Sequence, residues 1–209
     1  MNRCVIIGGA EIADYNRIRR CLNGNDFFVC CDSGLKHVEP LQVRPSLIVG
    51  DFDSYEKPET ETETIVLPRE KDDTDTVYAA REALRRGFED FLLIGVSGGR
   101  FDHTFGNVSL LLYLDNAGKT ARITDDYSEM EIVSGKTVEI DDSYAFFSLL
   151  NISGTAEDIT IRGAKYPLSG AEIRSDYQYG ISNEVIPGGR AAVSVGKGRL
   201  LLVKVFRAG

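Results

Sequence analysis

The stretch Phe91-Leu92-Leu93-Ile94-Gly95-Val96 contains no charged or polar side chain, and the polar, glycine-rich segment Ser97–His103 follows it directly. A strand that is apolar along its whole length is typical of a parallel sheet covered on both faces. Beyond this segment, Val108 and Leu111 belong to a helical pattern that spans about 103–116. This part of the chain therefore predicts a strand, a turn and a helix packed on a mainly parallel sheet.

The rest of the first half repeats this alternation of short apolar runs and helical patterns. A helix over about 74–86 is predicted by Val77, Ala80 and Leu84, which recur on one helical face. Further strands are predicted at 4–7, 27–31, 47–49, 64–67 and 121–124. Strands that alternate with helices favour a Rossmann-like α/β domain with a mainly parallel sheet.

The second half has a different pattern, in which short apolar runs are separated by Gly, Asp and Ser. Strands are predicted at 131–133, 137–140, 144–150, 158–161, 191–195 and 200–206. Closely spaced strands of this kind favour an antiparallel β-sandwich or a small barrel. The pattern changes within the polar stretch Asp125–Glu129, so we place an α/β domain at residues 1–127 and a β-sandwich domain at residues 128–209.

The overall composition narrows the class of function. The chain of 209 residues carries a net charge of −8, whereas a nucleic-acid binder neutralises phosphates with Lys and Arg. No apolar run reaches the roughly 18 residues that would span a membrane, and the short run Val5–Ile7 is no signal peptide. The four cysteines lack paired spacing, so a structural zinc site is not expected. We therefore expect a cytoplasmic protein that binds neither nucleic acid nor membrane.

Acidic residues follow several predicted strands at the point where each strand ends. Asp32 comes directly after the second strand, and Asp51 and Asp53 come after the third. Asp75 lies at the start of the helix that follows the fourth strand. Because ligands of an open α/β sheet bind beyond the carboxyl ends of its strands, we expect these distant parts of the sequence to meet at one edge.

Such a gathering of carboxylates needs a compensating positive charge. Two carboxylates about 4 Å apart repel by roughly 4 kcal/mol at an effective dielectric near 20, against a domain stability of only about 5–15 kcal/mol. Mg²⁺ suits this set because it prefers oxygen ligands, and an extended segment would put Asp51 and Asp53 on one side with Phe52 pointing away. Two alternatives to a metal stay open: turn formation and helix capping by the aspartates, and neutralisation by Arg69 and Lys71.

The segment Ser97–His103 has the features of a phosphate-binding turn. Its two glycines let the backbone approach a ligand closely, the N–H groups that open the following helix attract an anion, and Arg100 offers a charged fork for phosphate oxygens. His103 is open to two interpretations, a general acid or base and a structural hydrogen-bonding residue. Gly8-Gly9 could supply a second backbone contact, but it lacks the Gly-x-Gly-x-x-Gly fingerprint of nicotinamide dinucleotide binding.

Read together, these segments resemble the successive motifs of thiamine pyrophosphokinases, over essentially the whole chain and in the same order. The matching segments are Asp32-Ser33-Gly34, Pro45–Ser54, Lys71–Asp75, Gly98–His103, Lys165–Leu168 and Gly180–Glu184. The patterns Pro-Ser-x-x-x-Gly-Asp-x-Asp-Ser and Gly-Gly-Arg-x-Asp-His are the most specific parts of the match.

The resemblance implies an α/β catalytic domain, a C-terminal β-sandwich domain and a homodimer with its active sites at the subunit interface. It implies transfer of pyrophosphate from ATP to thiamine, which gives thiamine diphosphate and AMP. The site residues that it implies are Asp51, Asp53, Asp75, Arg100 and Asp102 for catalysis; Asp51, Asp53 and Asp75 for Mg²⁺; Asp32, Ser33, Ser97, Gly98, Gly99, Arg100, Asp102 and His103 for ATP; and Asp75, Ser182 and Asn183 for thiamine. Some members of the family place a Trp against thiamine, and this chain has none, which leaves Tyr177 or Tyr179 as the aromatic candidate.

Two functions besides this one stay open. A different Mg²⁺-dependent phosphotransferase or pyrophosphohydrolase would share the acids and the Gly-Gly-Arg turn, and only the C-terminal motifs argue against it. A nucleotide-sensing module would bind ATP without forming a product.

Overall fold

The computed structural model describes residues 3–53, 56, 58–70 and 72–207, so Ser54 and Lys71 of the matching segments lie outside the described residues. The chain divides into two compact units, with the division between Asp126 and Tyr127. In the described part of the chain, no helix combines the length and the apolar character needed to cross a bilayer.

The first unit is a parallel sheet with helices in its connections. In chain order its elements are β1 (Cys4–Ile7), α1 (Tyr15–Arg20), β2 (Phe27–Cys31), a 3₁₀ helix (Asp32–His37), α2 (Val38–Leu41), β3 (Leu47–Gly50), β4 (Thr64–Val66), α3 (Asp75–Arg85), β5 (Asp90–Ile94), α4 (Phe101–Asn116) and β6 (Thr120–Thr124). The strands pair in parallel in the order β4-β3-β2-β1-β5-β6. The central strands are buried along almost their whole length, as a sheet covered on both faces requires.

Helix α3 shows how the sequence pattern becomes a packed element. Thr74 caps it by accepting a hydrogen bond from the Val77 N–H over 3.3 Å. Of the predicted apolar stripe, Ala80 is fully buried, whereas Val77 and Leu84 are only half-buried. The small residues let the helix lie close to the sheet, which leaves the larger ones at the edges of the contact.

The second unit consists of antiparallel strands. Its elements are β7 (Ser128–Val133), β8 (Val138–Asp141), β9 (Tyr144–Leu150), β10 (Thr155–Arg162), β11 (Leu168–Arg174), β12 (Arg190–Lys197) and β13 (Leu200–Phe206). β13 pairs with β7 and β9, and a separate sheet has the order β11-β10-β12-β8. Side chains of both groups of strands share one core, which includes Phe147, Leu202, Ile159 and Val193. This arrangement is a β-sandwich.

The predicted fold class, an α/β domain followed by an antiparallel β-sandwich, is confirmed. Strand β11 was not predicted from the sequence, because only Ile173 of its seven residues is buried and no apolar alternation marks it. Gly170 also interrupts it with a left-handed conformation (φ +60°), and the pairing of β11 with β10 shifts register twice.

Candidate functional site

The candidate site lies where the order of the strands reverses. The chain runs from β1 outward through β2, β3 and β4, and then returns to β5 on the other side of β1. A parallel sheet opens a crevice at such a reversal, beyond the carboxyl ends of the two central strands. The loops after β1 and β5 line a cleft of about 420 Å³ at this place, which we call the β1/β5 cleft, together with Ser33, Thr76, His103 and Asn107.

Glycines allow the two loops of the cleft to approach each other. A Cβ atom at Gly8 would lie 2.5 Å from the Gly95 carbonyl oxygen, and one at Gly95 would lie 2.5 Å from the Gly8 carbonyl oxygen. The Gly8 N–H donates to the Ile94 carbonyl over 2.9 Å, and the Ala10 N–H donates to the Gly95 carbonyl over 2.8 Å. Because its N–H already has this acceptor, Gly8 is a packing residue rather than a backbone donor to a ligand.

The loop after β5 brings a glycine turn and the start of a helix to the cleft. Gly98 and Gly99 have φ angles of +92° and +64°, and a residue with a side chain would adopt these angles only with backbone strain. The Gly98 N–H donates to Thr104 Oγ1 over 3.0 Å, so the first turn of α4 holds the glycine turn in place. Arg100 is the N-cap residue of α4, and its side chain makes no capping hydrogen bond. The first N–H groups of a helix have no acceptor within it, and this is the arrangement that binds anions.

Arg100 forms an exposed ion pair with Asp102. The distance from Arg100 Nη2 to Asp102 Oδ2 is 2.5 Å, and the two side chains are 73% and 64% exposed. The Arg100 guanidinium, together with the His103 N–H, holds the pKa of the Asp102 carboxyl below its usual range. An exposed ion pair contributes little to stability, so exchanging Asp102 for an anionic ligand would cost the chain little.

Three carboxylates meet beside the cleft. Asp32 follows β2, Asp51 follows β3, and Asp75 opens α3, and one carboxylate oxygen of each lies within 4.8 Å of the others. Because β2 and β3 are neighbours in the sheet, their carboxyl ends place Asp32 and Asp51 side by side. We call the surrounding depression of about 350 Å³ the acidic pocket, and it shares Ser33 and His103 with the β1/β5 cleft.

Asp32 shows the cost of this arrangement most clearly. Asp32 is only 7% exposed. The pKa of its carboxyl is raised above the usual range, mainly because the group is buried and to a smaller extent because the Asp75 carboxylate is near. Among the described residues, Asp32 Oδ1 has no hydrogen-bond partner, and its φ of +37° is unusual for a residue with a side chain. Strained backbone and an unpartnered buried carboxylate oxygen are features that cluster at functional sites. The three oxygens fit a hard divalent cation.

The segment between Asp51 and Asp53 is a turn, so the extended arrangement predicted for these residues is wrong. Phe52 has a left-handed conformation with φ of +56°, and the Asp53 N–H donates to Asp51 Oδ1 over 3.3 Å. Asp53 is exposed and lines the acidic pocket without belonging to the group of three close carboxylates. Asp32, for which the resemblance implies a contact with ATP, belongs to that group.

The remaining acids of the segment before α3 have separate surroundings. Asp73 forms an ion pair with Arg81 on the exposed side of α3, which satisfies it without a ligand. Lys71, the residue considered for neutralising the acids, lies outside the described residues. The other residue considered, Arg69, is exposed and does not line the acidic pocket.

Ser182 and Asn183 belong to the second unit and differ sharply in their surroundings. Asn183 is 5% exposed; its Oδ1 accepts the N–H groups of Tyr166 and Glu184, and its Nδ2 donates to the Tyr166 carbonyl. Ser182 is exposed, has a φ of +58°, and donates its N–H to Ser148 Oγ over 3.0 Å. Asn183 therefore builds the loop, and Ser182 is the residue that the loop presents.

Comparison with known proteins gives two matches along the chain. Residues 18–123 match the family model "Thiamin pyrophosphokinase, catalytic domain", and residues 136–200 match the model "Thiamin pyrophosphokinase, vitamin B1 binding domain". The chain belongs to the thiamin pyrophosphokinase family. The resemblance read from the sequence motifs is thereby confirmed, and the family is one of enzymes.

Individual members of the family are similar along nearly the whole chain. The thiamine pyrophosphokinase of Bacillus subtilis is 28% identical over 181 residues, which cover 83% of this chain and 84% of that protein. The crystal structure of the Geobacillus thermodenitrificans thiamin pyrophosphokinase has a TM-score of 0.81 at 29% identity and covers 99% of both chains. The fold is also that of the B. subtilis crystal structure, which has a TM-score of 0.87 at 24% identity and covers 99% of this chain and 100% of that chain.

Most of the site residues predicted from the thiamin pyrophosphokinase motifs lie around the two depressions. The β1/β5 cleft is lined by Ser33, Ser97, Gly98, Gly99, Arg100 and His103, and the acidic pocket by Asp32, Ser33, Asp51, Asp53, Asp75 and His103. Ser97 Oγ donates to Asp125 Oδ2 over 2.8 Å, which orients this hydroxyl. Asp102 lines neither depression and acts on the site through Arg100.

His37 contacts the loop after β1 that lines the β1/β5 cleft, and its burial was not predicted. It is 0% exposed. Its Nε2 lies 2.9 Å from the Ala10 carbonyl oxygen, so Nε2 carries the proton, and Nδ1 then accepts from the Tyr15 hydroxyl over 2.7 Å. Burial lowers the pKa of His37 below its usual range, so the ring is neutral where it holds the Ala10 loop in place.

We expect the stability of the chain to fall as the pH drops below about 6.5, because His37 protonates more readily in the unfolded chain than in the folded one. The stability that neutral His37 contributes is complete above the pKa of His37 in the unfolded chain. It is lost as the pH falls toward the lower pKa of His37 in the folded chain. The free energy of unfolding then decreases by at most about 1.4 kcal/mol per pH unit. Thermal unfolding at pH 7.5 and 5.5 measures the loss. In His37→Gln the loss should be smaller; an equal loss in both proteins would contradict the assignment.

Proposed function

We propose that this chain transfers the pyrophosphoryl group of ATP to the hydroxyl of thiamine and releases thiamine diphosphate and AMP. The observation that carries the proposal is the acidic pocket of Asp32, Asp51 and Asp75, which adjoins an anion-binding cleft within a chain of this family. Carboxylates alone would repel a triphosphate, so the pair of depressions suits a metal–nucleotide complex and not a bare anion.

The metal of the proposal is Mg²⁺, held by Asp32, Asp51 and Asp75, with Asp53 as a further ligand from the edge of the same pocket. Enzymes of this family use ATP and a divalent metal, and oxygen ligands alone favour a hard cation. A bound Mg²⁺ would neutralise the carboxylates and the charge that develops on the transferring phosphoryl oxygens.

The reaction follows the pattern of phosphoryl transfer. A bond forms between the thiamine hydroxyl oxygen and the β-phosphorus, and the bond from the β-phosphorus to the oxygen of the α-phosphate breaks, so AMP leaves. The hydroxyl proton passes to a pocket carboxylate or to water. Arg100 and the first N–H groups of α4 hold phosphate oxygens in place, with Ser33 and His103 at the border of the two depressions.

The second unit supplies the thiamine contacts of the proposal. Ser182 is presented by a loop that Asn183 holds together, and the exposed rings of Tyr177 and Tyr179, 5.6 Å apart, offer an aromatic surface in a chain without Trp. In the proposal these residues act across the interface of a homodimer. The cytoplasmic location expected from the sequence stays a prediction.

Product analysis tests the proposal in one experiment. The pure protein is incubated with ATP, MgCl₂ and thiamine, and all products are separated by chromatography. Thiamine diphosphate and AMP in equal amounts are the expected result. ADP with thiamine monophosphate would overturn the pyrophosphoryl transfer. ATP consumption that does not depend on thiamine would favour a pyrophosphohydrolase, and ATP binding without turnover would favour a nucleotide-sensing module.

A further inference from the structure

Asn107 lines the β1/β5 cleft and has no role in the proposed function. It lies in the second turn of α4, lines the cleft, and is only 7% exposed. Its Nδ2 donates to the Val96 carbonyl oxygen over 2.8 Å. Because a carbonyl oxygen only accepts hydrogen bonds, this contact fixes which side of the Asn107 amide carries the nitrogen.

The amide of Asn107 has further hydrogen-bonding capacity. An Asn side chain offers two N–H donors and one oxygen acceptor, and the contact with Val96 occupies one donor. Among the described residues, Oδ1 and the second N–H of Asn107 have no protein partner. Although the residue as a whole is only 7% exposed, Oδ1 is not a buried atom without a partner. It is accessible from the cleft that Asn107 lines, where water or a ligand can bond to it.

The chemistry of the remaining groups identifies the part of a nucleotide that fits them. Phosphate oxygens are acceptors, so they cannot satisfy Oδ1. The adenine edge presents an amino donor beside a ring-nitrogen acceptor, which is the pattern that an Asn amide binds with two hydrogen bonds. Hypoxanthine presents an oxygen in place of the amino group, so it would set two acceptors against each other.

The direction of the nucleotide follows from the order of residues along α4. Arg100 is the N-cap residue of α4, and His103 and Asn107 lie four residues apart on one face of the helix, so the three follow one another over roughly 10 Å along the cleft. His103 also lines the acidic pocket, whereas Asn107 does not. The phosphates therefore lie at the His103 end, beside the proposed metal, and the nucleoside lies toward Asn107.

We infer that Asn107 recognises the adenine edge of the nucleotide and makes this site selective for adenine over hypoxanthine. The inference rests on the proposed use of ATP at the β1/β5 cleft, and it adds a specificity-determining residue that binds no phosphate and no metal.

Calorimetric binding of ATP and ITP to the whole chain, with MgCl₂ and without thiamine, tests the inference. Wild-type protein should bind ATP at least about tenfold more tightly than ITP, the loss expected when a bidentate contact is replaced by opposed acceptors. In Asn107→Leu and in the less intrusive Asn107→Ala, ATP affinity should fall and the ATP-to-ITP ratio should shrink to about threefold or less. Ser109→Ala, at an exposed position of the same helix, should keep the wild-type ratio.

The outcomes separate this inference from the proposed function. A preserved ATP-to-ITP ratio in folded Asn107 variants would overturn the role of Asn107 while leaving ATP as the substrate. Similar wild-type affinities for ATP and ITP, combined with weak binding of 2′-deoxy-ATP or 3′-deoxy-ATP, would overturn it by assigning Oδ1 to a ribose hydroxyl. A general loss of affinity with an unchanged ratio would show that Asn107 only supports Val96. If no nucleotide binds to wild-type protein, the proposed function itself fails.

Discussion

Asp51→Asn is expected to lower kcat for pyrophosphoryl transfer by at least about a thousandfold while the chain stays folded. The substitution keeps the size of the side chain but removes one of three carboxylates whose oxygens lie within 4.8 Å of one another. Metal and electrostatic stabilisation of a transferring phosphoryl group supplies several kcal/mol, and each 1.36 kcal/mol corresponds to about tenfold in rate. Steady-state kinetics with ATP and thiamine at saturating MgCl₂ measure the loss.

The same variant separates a metal site from a merely acidic depression. Removing one of three repelling carboxylates should leave the melting temperature without MgCl₂ unchanged or higher. In wild-type protein, MgCl₂ should raise the melting temperature, because a ligand of the folded state stabilises it by mass action. Asp51→Asn should lose this shift. Glu39→Gln, which removes an exposed carboxylate of α2, is the matched control and should keep both the shift and the turnover.

Turnover in Asp51→Asn close to that of wild-type protein would remove Asp51 from the metal site. A wild-type melting temperature that does not respond to MgCl₂, in a protein that still forms thiamine diphosphate, would show that the metal enters only with the nucleotide. In that case the carboxylates of the acidic pocket would bind the metal only after the nucleotide has brought it, and they would not form a metal site on their own.

The strands were predictable where apolar residues form unbroken runs. β1, β2, β9 and β13 have the bounds that the sequence predicts, because burial on one or both faces demands apolar side chains along the strand. Strand β11 was not predicted because it lies at the edge of its sheet and buries only Ile173. An edge strand leaves one side without a partner strand, so its residues carry a weaker pattern.

The site was predictable to the level of which segments meet, but not to the level of which atoms meet. The carboxyl ends of neighbouring parallel strands converge wherever the sheet order allows it, so the gathering of Asp32, Asp51 and Asp75 follows from the pattern of strands. The left-handed Phe52 does not follow from it, because a residue with a side chain rarely adopts that conformation. Asp53 follows this turn and lies outside the group of three.

Burial of polar residues was the other feature that sequence reasoning missed. His37 is buried because Tyr15 and Ala10, more than 20 residues away, satisfy both of its ring nitrogens. Asn107 is buried because it reaches the Val96 carbonyl at the end of β5. Such hydrogen-bond partners are brought together by tertiary packing, so the periodicity of apolar residues in the local sequence does not predict them. For Asn107 a signal was present in the i, i+3, i+7 spacing from Arg100 and His103.

Arg100→Met is expected to lower kcat/KM for ATP by about a hundredfold. Methionine keeps much of the length and apolar stem of the side chain, and it removes the charged fork that binds phosphate oxygens. Loss of one preorganised donor to a reacting group costs about 10²–10³ in rate in other enzymes. Arg100→Lys, which keeps the charge without the planar fork, should fall between wild type and Arg100→Met in a steady-state ATP titration.

The chain contains a matched control for this substitution. Arg174 forms an i, i+2 ion pair with Asp176 in the second unit, with side chains 67% and 65% exposed, much like the pair of Arg100 and Asp102. Arg174→Met removes the same charge and the same kind of contact away from the β1/β5 cleft, so it should change kcat/KM by less than about twofold. If both variants lose activity equally, net charge and not phosphate binding explains the effect. If neither does, the glycine turn and the first N–H groups of α4 hold the phosphates alone, and Arg100 serves only to pair with Asp102.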